Sequence, residues 1–304
     1  MEFKDVEQAR AKYQSKLNKG WTIAGVIIGV FVIVGLFPGL WGDGSVGFVL
    51  MMAIFVMVVL VVATGIIYGA AGKDAEKYRK AYKAYFVGNA LAEGFKDYSY
   101  DHAKGIPKAL LARTGMINTG DRYSSNDLVV GKYKDVKLMQ ADACIDDEHT
   151  DSDGHTYYTN MFKGRFMIYE FPKKFNFRME VVGKRFTAYA IPNRKFQKVK
   201  LESPEFNRRF RVWGEDGFEV FYLLDPAIIE QVQLLGEKYK DRVFLGFLNN
   251  TLVVGIDDGK DAMEPPRAKG PLNEKIEMAR VKEDIKMVTD LVDKLKLDRK
   301  IFEK

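Results

Sequence analysis

One cysteine, Cys144, and three histidines are the whole supply of the two side chains that most readily become nucleophiles or metal ligands in this 304-residue chain. A lone thiol forms no internal disulfide, which fits a reducing compartment. The sequence also lacks the phosphate-cradling G-x-x-x-x-G-K-[ST], the nucleophile elbow G-x-S-x-G and the zinc motif H-E-x-x-H, so the common local signatures of nucleotide, hydrolase and metalloprotease chemistry are missing. Charge is absent too, in two long stretches. None occurs from Gly20 through Gly42, and none from Gly44 through Gly72; only Asp43 divides them.

Each uncharged run has the roughly 20 apolar residues that a membrane-crossing helix needs. A core helix of a soluble protein keeps a polar side over such a length. The first run does not read as a cleaved leader: Glu2, Asp5 and Glu7 precede it, and the bulky Leu40 and Trp41 stand where cleavage wants small residues. The expectation is a two-helix transmembrane hairpin over 20–72, turning at Pro38, Gly39, Gly42 and Gly44. Lys4, Arg10, Lys12, Lys16 and Lys19 stand before the first span, and Lys73, Lys77, Arg79, Lys80 and Lys83 after the second. The connecting loop has no basic residue, so the positive-inside rule places both ends in the cytoplasm. These flanks account for much of the net charge of +6 and suit anionic headgroups, with no need for nucleic acid. Gly25 and Gly29, and Gly65 and Gly69, are small residues one turn apart, a spacing that lets helices approach closely. They are the candidate helix-packing positions, against the other span or another subunit. Neither span holds an ionisable residue of the kind that marks an ion path.

After the spans, a juxtamembrane helix is expected over 73–97, with Tyr78, Tyr82 and Tyr85 on one face. From 98 to 263 the pattern changes to short alternating segments. "DLVVGKYKDVKLMQADACI" reads as two strands around Lys134-Asp135, and "YYTNMFKGRFMIYEF" and "FRMEVVGKRFTAYAI" read as more. Asp225 and Pro226 are an N-cap and a first helical residue, and Gly236 is placed to weaken or end that helix. Asn249-Asn250 suits a hairpin turn. The fold class is α+β with a largely antiparallel sheet.

The segments "DRYSSNDLVVGKYKDVKL", "FKGRFMIYEF", "LESPEFNRRFRVWGEDGFEVFYLLDPAIIEQ" and "RVFLGFLNNTLVVGI" together resemble a bacterial family catalogued as domain of unknown function 3137. The resemblance implies a two-span hairpin with a cytoplasmic domain at the bacterial inner membrane. It implies no activity and no catalytic residue.

Chemistry concentrates in "DDEHTDSDGH", residues 146–155, with five acidic side chains and two histidines. Against a calcium loop, with Gly154 at the sixth position, Asp151 and Asp153 fit, but His149 falls at the first and Asn160 at the twelfth. Two histidines on a loop give a weak zinc chelate. Asp, Ser and Gly are also what a long hairpin connection uses, so the loop reads as a hairpin tip; no metal or cofactor site is assigned. Cys144 lies on an alternating strand as a small apolar group. Phe210 and Val212 alternate with Arg209 and Arg211, a half-buried strand with a solvated face.

Residues 264–272, "EPPRAKGPL", read as a linker. In 273–304, Met278, Val281, Ile285, Val288, Val292, Leu295 and Phe302 follow heptad spacing, giving an amphipathic helix with a narrow apolar seam. Something must cover that seam. The N-terminal helix over 1–19, with Phe3, Val6, Tyr13 and Leu17 interrupted by Arg10, is an in-chain candidate, as is another subunit. The sequence therefore points to a membrane-anchored interaction or scaffold module whose partners are the bilayer and other protein subunits, itself included. The rival readings are a membrane-tethered hydrolase using Cys144 or the 146–155 loop, and a homo-oligomeric membrane assembly.

Overall fold

In the computed structural model the described residues are 1–35, 46–171, 177–191, 195–215 and 217–295. Pro38, Gly39, Gly42, Gly44 and Phe302 lie outside them. The chain divides into two units, Met1–Val87 with Glu264–Glu277, and Gly88–Met263 with Met278–Lys304.

The first unit is built on two long helices, α1 (Phe3–Gly35) and α2 (Val46–Tyr82). They run antiparallel. Tyr13 stacks near Tyr78, with ring centroids 6.5 Å apart, and Lys16 pairs with Asp74 at 3.0 Å. Further along, the close approach falls at Gly20: a Cβ there would stand 2.8 Å from Ile67 Cγ1. Ala24, Ile67 and Ala71 are buried around it. A π turn, Lys83–Val87, follows α2. The extra residue brings Tyr82, Phe86 and Val87 all inside, where Phe3 packs edge-on to Phe86. Residues 264–277 are laced onto these helices. Glu264 takes Lys83 at 2.6 Å and Arg79 at 2.9 Å, Tyr78 donates to Pro266 O, Arg10 to Ala268 O, and Tyr82 to Glu277.

The second unit is a sheet with helices on its faces. After α3 (Gly88–Gly94) come β1 (Asp97–Asp101), α4 (Lys108–Thr114), β2 (Arg122–Tyr133), β3 (Val136–Thr150), β4 (Thr156–Glu170), β5 (Arg178–Gly183) and β6 (Gln197–Val199). Then follow α5 (Pro204–Arg209), β7 (Phe210–Gly214), α6 (Gly217–Leu223), α7 (Pro226–Lys238), β8 (Val243–Leu248), β9 (Thr251–Ile256) and α8 (Glu274–Lys294). The nine strands form one sheet in the order β1-β2-β3-β4-β9-β8-β5-β7-β6, with antiparallel pairing throughout. Lys134 (φ 51°) turns β2 into β3 and Asn249 (φ 55°) turns β8 into β9, the left-handed backbone that tight hairpins demand.

Alternation gives each face its own cover. Ala141, Ala143, Ile145, Phe162, Phe166, Val182, Phe244 and Val253 point to one side, under Ile106, Leu111, Met116 and Phe186. Leu138, Met167, Tyr169, Val181, Leu245 and Val254 point to the other and are also buried. There α8 lies, with Val288 O accepting the Tyr169 hydroxyl at 3.0 Å and Asp284 O accepting Arg165 at 2.9 Å. Asp225 caps α7 as its sequence suggests, accepting from Ile228 N. Gly236 does not end that helix, which continues to Lys238. Its role is clearance: a Cβ there would meet the Phe210 ring at 2.5 Å. The alternation in "TAYAI" gives no full strand either, since Tyr189 makes only an isolated bridge to Ile117.

Candidate functional site

The least compensated surface lies on the long helices. One helical stretch, Ala53–Gly94, contains an 18-residue window long and apolar enough to cross a membrane, and only 6% of that window is buried. Met57 and Val61 are 64% and 68% exposed. A soluble core helix of this composition would have its apolar surface covered, since each fully buried side chain of this size gains about 1.5–3 kcal/mol. On α1, Ile23, Val26 and Ile33 are exposed in the same way. Among the described residues only the Ala53–Gly94 stretch meets the length criterion; the uncharged run of α1 extends past Gly35 into residues outside the description.

The four motif glycines are not where the two helices touch. A Cβ at Gly25, Gly29, Gly65 or Gly69 would meet nothing within 4 Å. The tight contact uses Gly20 against Ile67, a position with no partner glycine one turn away and so no spacing to announce it. The seam residues are placed inside. Val281, Ile285, Val288, Val292 and Leu295 are buried, while Met278 is half-buried. Their cover includes the sheet face described above and α3, where a Cβ at Gly94 would stand 3.2 Å from Ile285 Cγ2.

Beneath α8 lies a polar constellation that sequence reading did not single out. Asp127 on β2, Asp142 on β3 and Asp261 after β9 bring carboxylate oxygens within 4.8 Å of one another. Asp127 holds a left-handed backbone (φ 59°) at the irregularity between Asn126 and Val129. Its carboxylate accepts from Tyr100 Oη at 2.5 Å and Asn126 Nδ2 at 2.8 Å. Asp142 Oδ2 accepts from Ala262 N at 2.9 Å, and its Oδ1 stands 3.7 Å from Arg165 Nε. Burial raises the Asp142 carboxyl well above the ordinary range; Arg165 opposes this, and the neighbouring Asp261 and Asp127 reinforce it. Asp261 Oδ1 is buried without a hydrogen-bond partner among the described residues. A proton on the Asp142 carboxyl, which burial favours, would supply one. The group can therefore hold a proton, or a cation in its place, with Arg165 already giving one positive charge. The available signal was Asp142, an acid at a buried position of an otherwise apolar alternating strand.

The sequence candidates for catalysis are scattered. Burial, then the Asp146 carboxylate, push the Cys144 thiol up, which disfavours the nucleophilic thiolate. Its neighbour is the Asn160 amide at 3.2 Å. His149 is five residues on and so on the opposite face of β3, bonded to Thr159 at 2.7 Å and stacked on Tyr157. The 146–155 stretch is the end of the β3–β4 hairpin. Asp151 Oδ1 accepts from the backbone of Asp153 and His155, and the exposed Asp151, Asp153 and His155 side chains cluster there. Such a group can touch a cation but has no scaffold to fix its geometry.

Residues 160–297, from within β4 to just past α8, match the family described as "Protein of unknown function (DUF3137)". That stretch carries a DUF3137 domain. No curated protein matches the chain. Among solved structures, the crystal structure of the mycobacterial trehalose monomycolate transport factor A, TtfA, is similar at 10% identity, covering 71% of this chain and 97% of that one, with a TM-score of 0.38. The DUF3137 match takes in the sheet from β4 onward and α8. It omits β1–β3 and both long helices.

Proposed function

We propose that this chain is a membrane-anchored interaction or scaffold module of a membrane complex. In this reading α2 crosses the bacterial inner membrane, α1 adds a second span, and both ends with the DUF3137 domain lie in the cytoplasm. The observation that carries it is the nearly unburied apolar window in Ala53–Gly94. Exposure of that kind is stable in lipid and costly in water. The basic residues flanking the spans support the orientation. A second reading, packing of copies through the spans, draws on the open space over Gly25, Gly29, Gly65 and Gly69. Alkaline carbonate extraction of native membranes tests the anchor: the chain should stay with the bilayer, and release into the soluble fraction would remove the reading. For orientation, an impermeant thiol reagent should leave Cys144 unlabelled in intact cells and label it in opened, denatured ones.

A further inference from the structure

The β3–β4 hairpin reaches past the rest of the sheet. β2 pairs with β3 only as far as Arg122 opposite Asp146, and β9 pairs with β4 only from Arg165 to Glu170. From Thr156 to Asn160, β4 has β3 on one side and, among the described residues, no strand on the other. The phase of the ladder fixes which groups face out. Glu148 turns its N–H to the Asp121 carboxylate at 2.8 Å, on the β2 side, and Glu148 stands opposite Tyr158. Opposed residues in an antiparallel pair either bond each other or both turn away. Tyr158 therefore turns its N–H and C=O to the open side, and Thr156 and Asn160, two residues off in each direction, do the same. All five residues from Thr156 to Asn160 are exposed.

Exposed edges are normally blunted by lysine, proline or a bulge. "TYYTN" has no charge and no proline, and tyrosine and threonine favour strands. The one register shift, at Ile145/Asp146, lies at the inner end of the hairpin and leaves these residues regular. The edge is therefore a ready template for strand addition.

Charge selects what is added. Asp146, Asp147 and Glu148 lie on β3, with Asp151 and Asp153 on the turn. The nearby Arg122 is stacked on the Tyr158 ring, 3.5 Å from its centroid. A strand added to β4 would lie about 10 Å from β3, two strand spacings away and about one Debye length at physiological salt. Tyr157 and Tyr158 show their rings on opposite faces, the first stacked on His149 and the second already under Arg122, so the attraction for a basic strand comes from the carboxylates. A second copy would bring the same acids against these.

We infer that the free edge of β4 from Thr156 to Asn160 takes up, by strand addition, an extended basic segment of a partner protein. The inference rests on reading the chain as an interaction module but not on its membrane tether. The test uses the full-length protein in detergent micelles with two short synthetic peptides, one alternating lysine with valine and threonine, the other with glutamate replacing lysine. Hydrogen exchange over Thr156–Asn160 is the readout. The lysine peptide should slow exchange there severalfold, the glutamate peptide should not, and high salt should erase the difference. Asp147→Asn with Glu148→Gln should weaken the lysine peptide's effect while exchange elsewhere in the sheet is unchanged. Protection by neither peptide, or by both equally, overturns the proposal. So does protection that grows with protein concentration alone, which would make a second copy the occupant. A chain that leaves the membrane on carbonate extraction but is protected by the lysine peptide loses its tether and keeps its edge; the reverse result removes the edge alone.

Discussion

Two helices of this chain are rich in apolar side chains, and they meet opposite fates. In α8 the apolar residues form a stripe, and Val281, Ile285, Val288 and Val292 are buried while Lys286 and Glu283 face water. In α2 they cover every side, and Met57, Val58 and Val61 remain exposed. A stripe can be satisfied by one partner surface, and here the sheet supplies it. An all-round apolar helix cannot be satisfied by one surface and needs an apolar solvent. The width of the apolar face, more than its hydrophobicity, separates a helix meant for protein from one meant for lipid.

The sharpest way to break this contrast is to put the same charge into both helices. Ile285→Asp removes a buried side chain of α8 and leaves an unpaired carboxylate in its place, costing about 4 kcal/mol or more. Thermal unfolding of the sheet unit should shift strongly downward, and α8 should become sensitive to protease. Val61→Asp should leave the sheet unchanged and instead disfavour membrane insertion by about 2.5–3.5 kcal/mol if it lies near mid-bilayer, read as loss from the membrane pellet. A sheet untouched by Ile285→Asp would mean that α8 is not its cover.

The contrast also shows what could be read from the residues. Uncharged runs, the heptad seam, the Asp225 cap and the Asn249 turn are each signalled within a few neighbouring positions, because helix period, capping and turn chemistry are local. What covers the seam is not local. The sheet face on which α8 lies carries Leu138, Tyr169 and Leu245, from three different strands. The Asp127–Asp142–Asp261 group was hidden for the same reason, its first and last members standing 134 positions apart on the chain. Gly236 misled because glycine is also a helix terminator; its clearance for Phe210 depends on β7, which is distant in sequence. The glycine spacings in α1 and α2 pointed to contacts of a general kind, whereas the contact between the two helices uses Gly20 and Ile67.

The helix pair offers a smaller test. A side chain at Gly20 would collide with Ile67, whose branched Cβ and Cγ atoms lie within 3.3 Å of the added Cβ. Gly20→Leu should separate α1 from α2 at about 1–3 kcal/mol, the usual range for overpacking. A disulfide-trapping pair built at Tyr13 and Tyr78 should then form more slowly. Gly25→Leu, with open space over it, should leave that rate unchanged. If Gly25→Leu slows it as much as Gly20→Leu, the two helices meet along the motif glycines after all. If it instead lowers the detergent-solubilised mass, copies pack through that glycine face.

The smallest effect is one of slope. Asp142 is held above the ordinary carboxylate range in the folded chain, by burial first and by its acidic neighbours next. The folded state therefore keeps a proton that the unfolded chain releases near the usual pKa of about 3.9. Wherever the folded state binds more protons, stability falls as pH rises, so Asp142 contributes a decline that begins above the ordinary carboxylate range and ends once its raised pKa is passed. Asparagine would keep an oxygen for Ala262 N and offer an amide proton to Asp261, without the ionisation. Relative to wild type, Asp142→Asn should gain stability steadily as pH is raised above the ordinary carboxylate range, because the wild type alone must lose that proton. Glu180 and Asp257 are also pushed up by burial, but they are present in both proteins and cancel in the difference. Denaturant melts at several pH values give that difference directly. Parallel curves for the two proteins would mean that Asp142 carries its charge in the fold, with Arg165 neutralising it, and that no proton joins the three carboxylates.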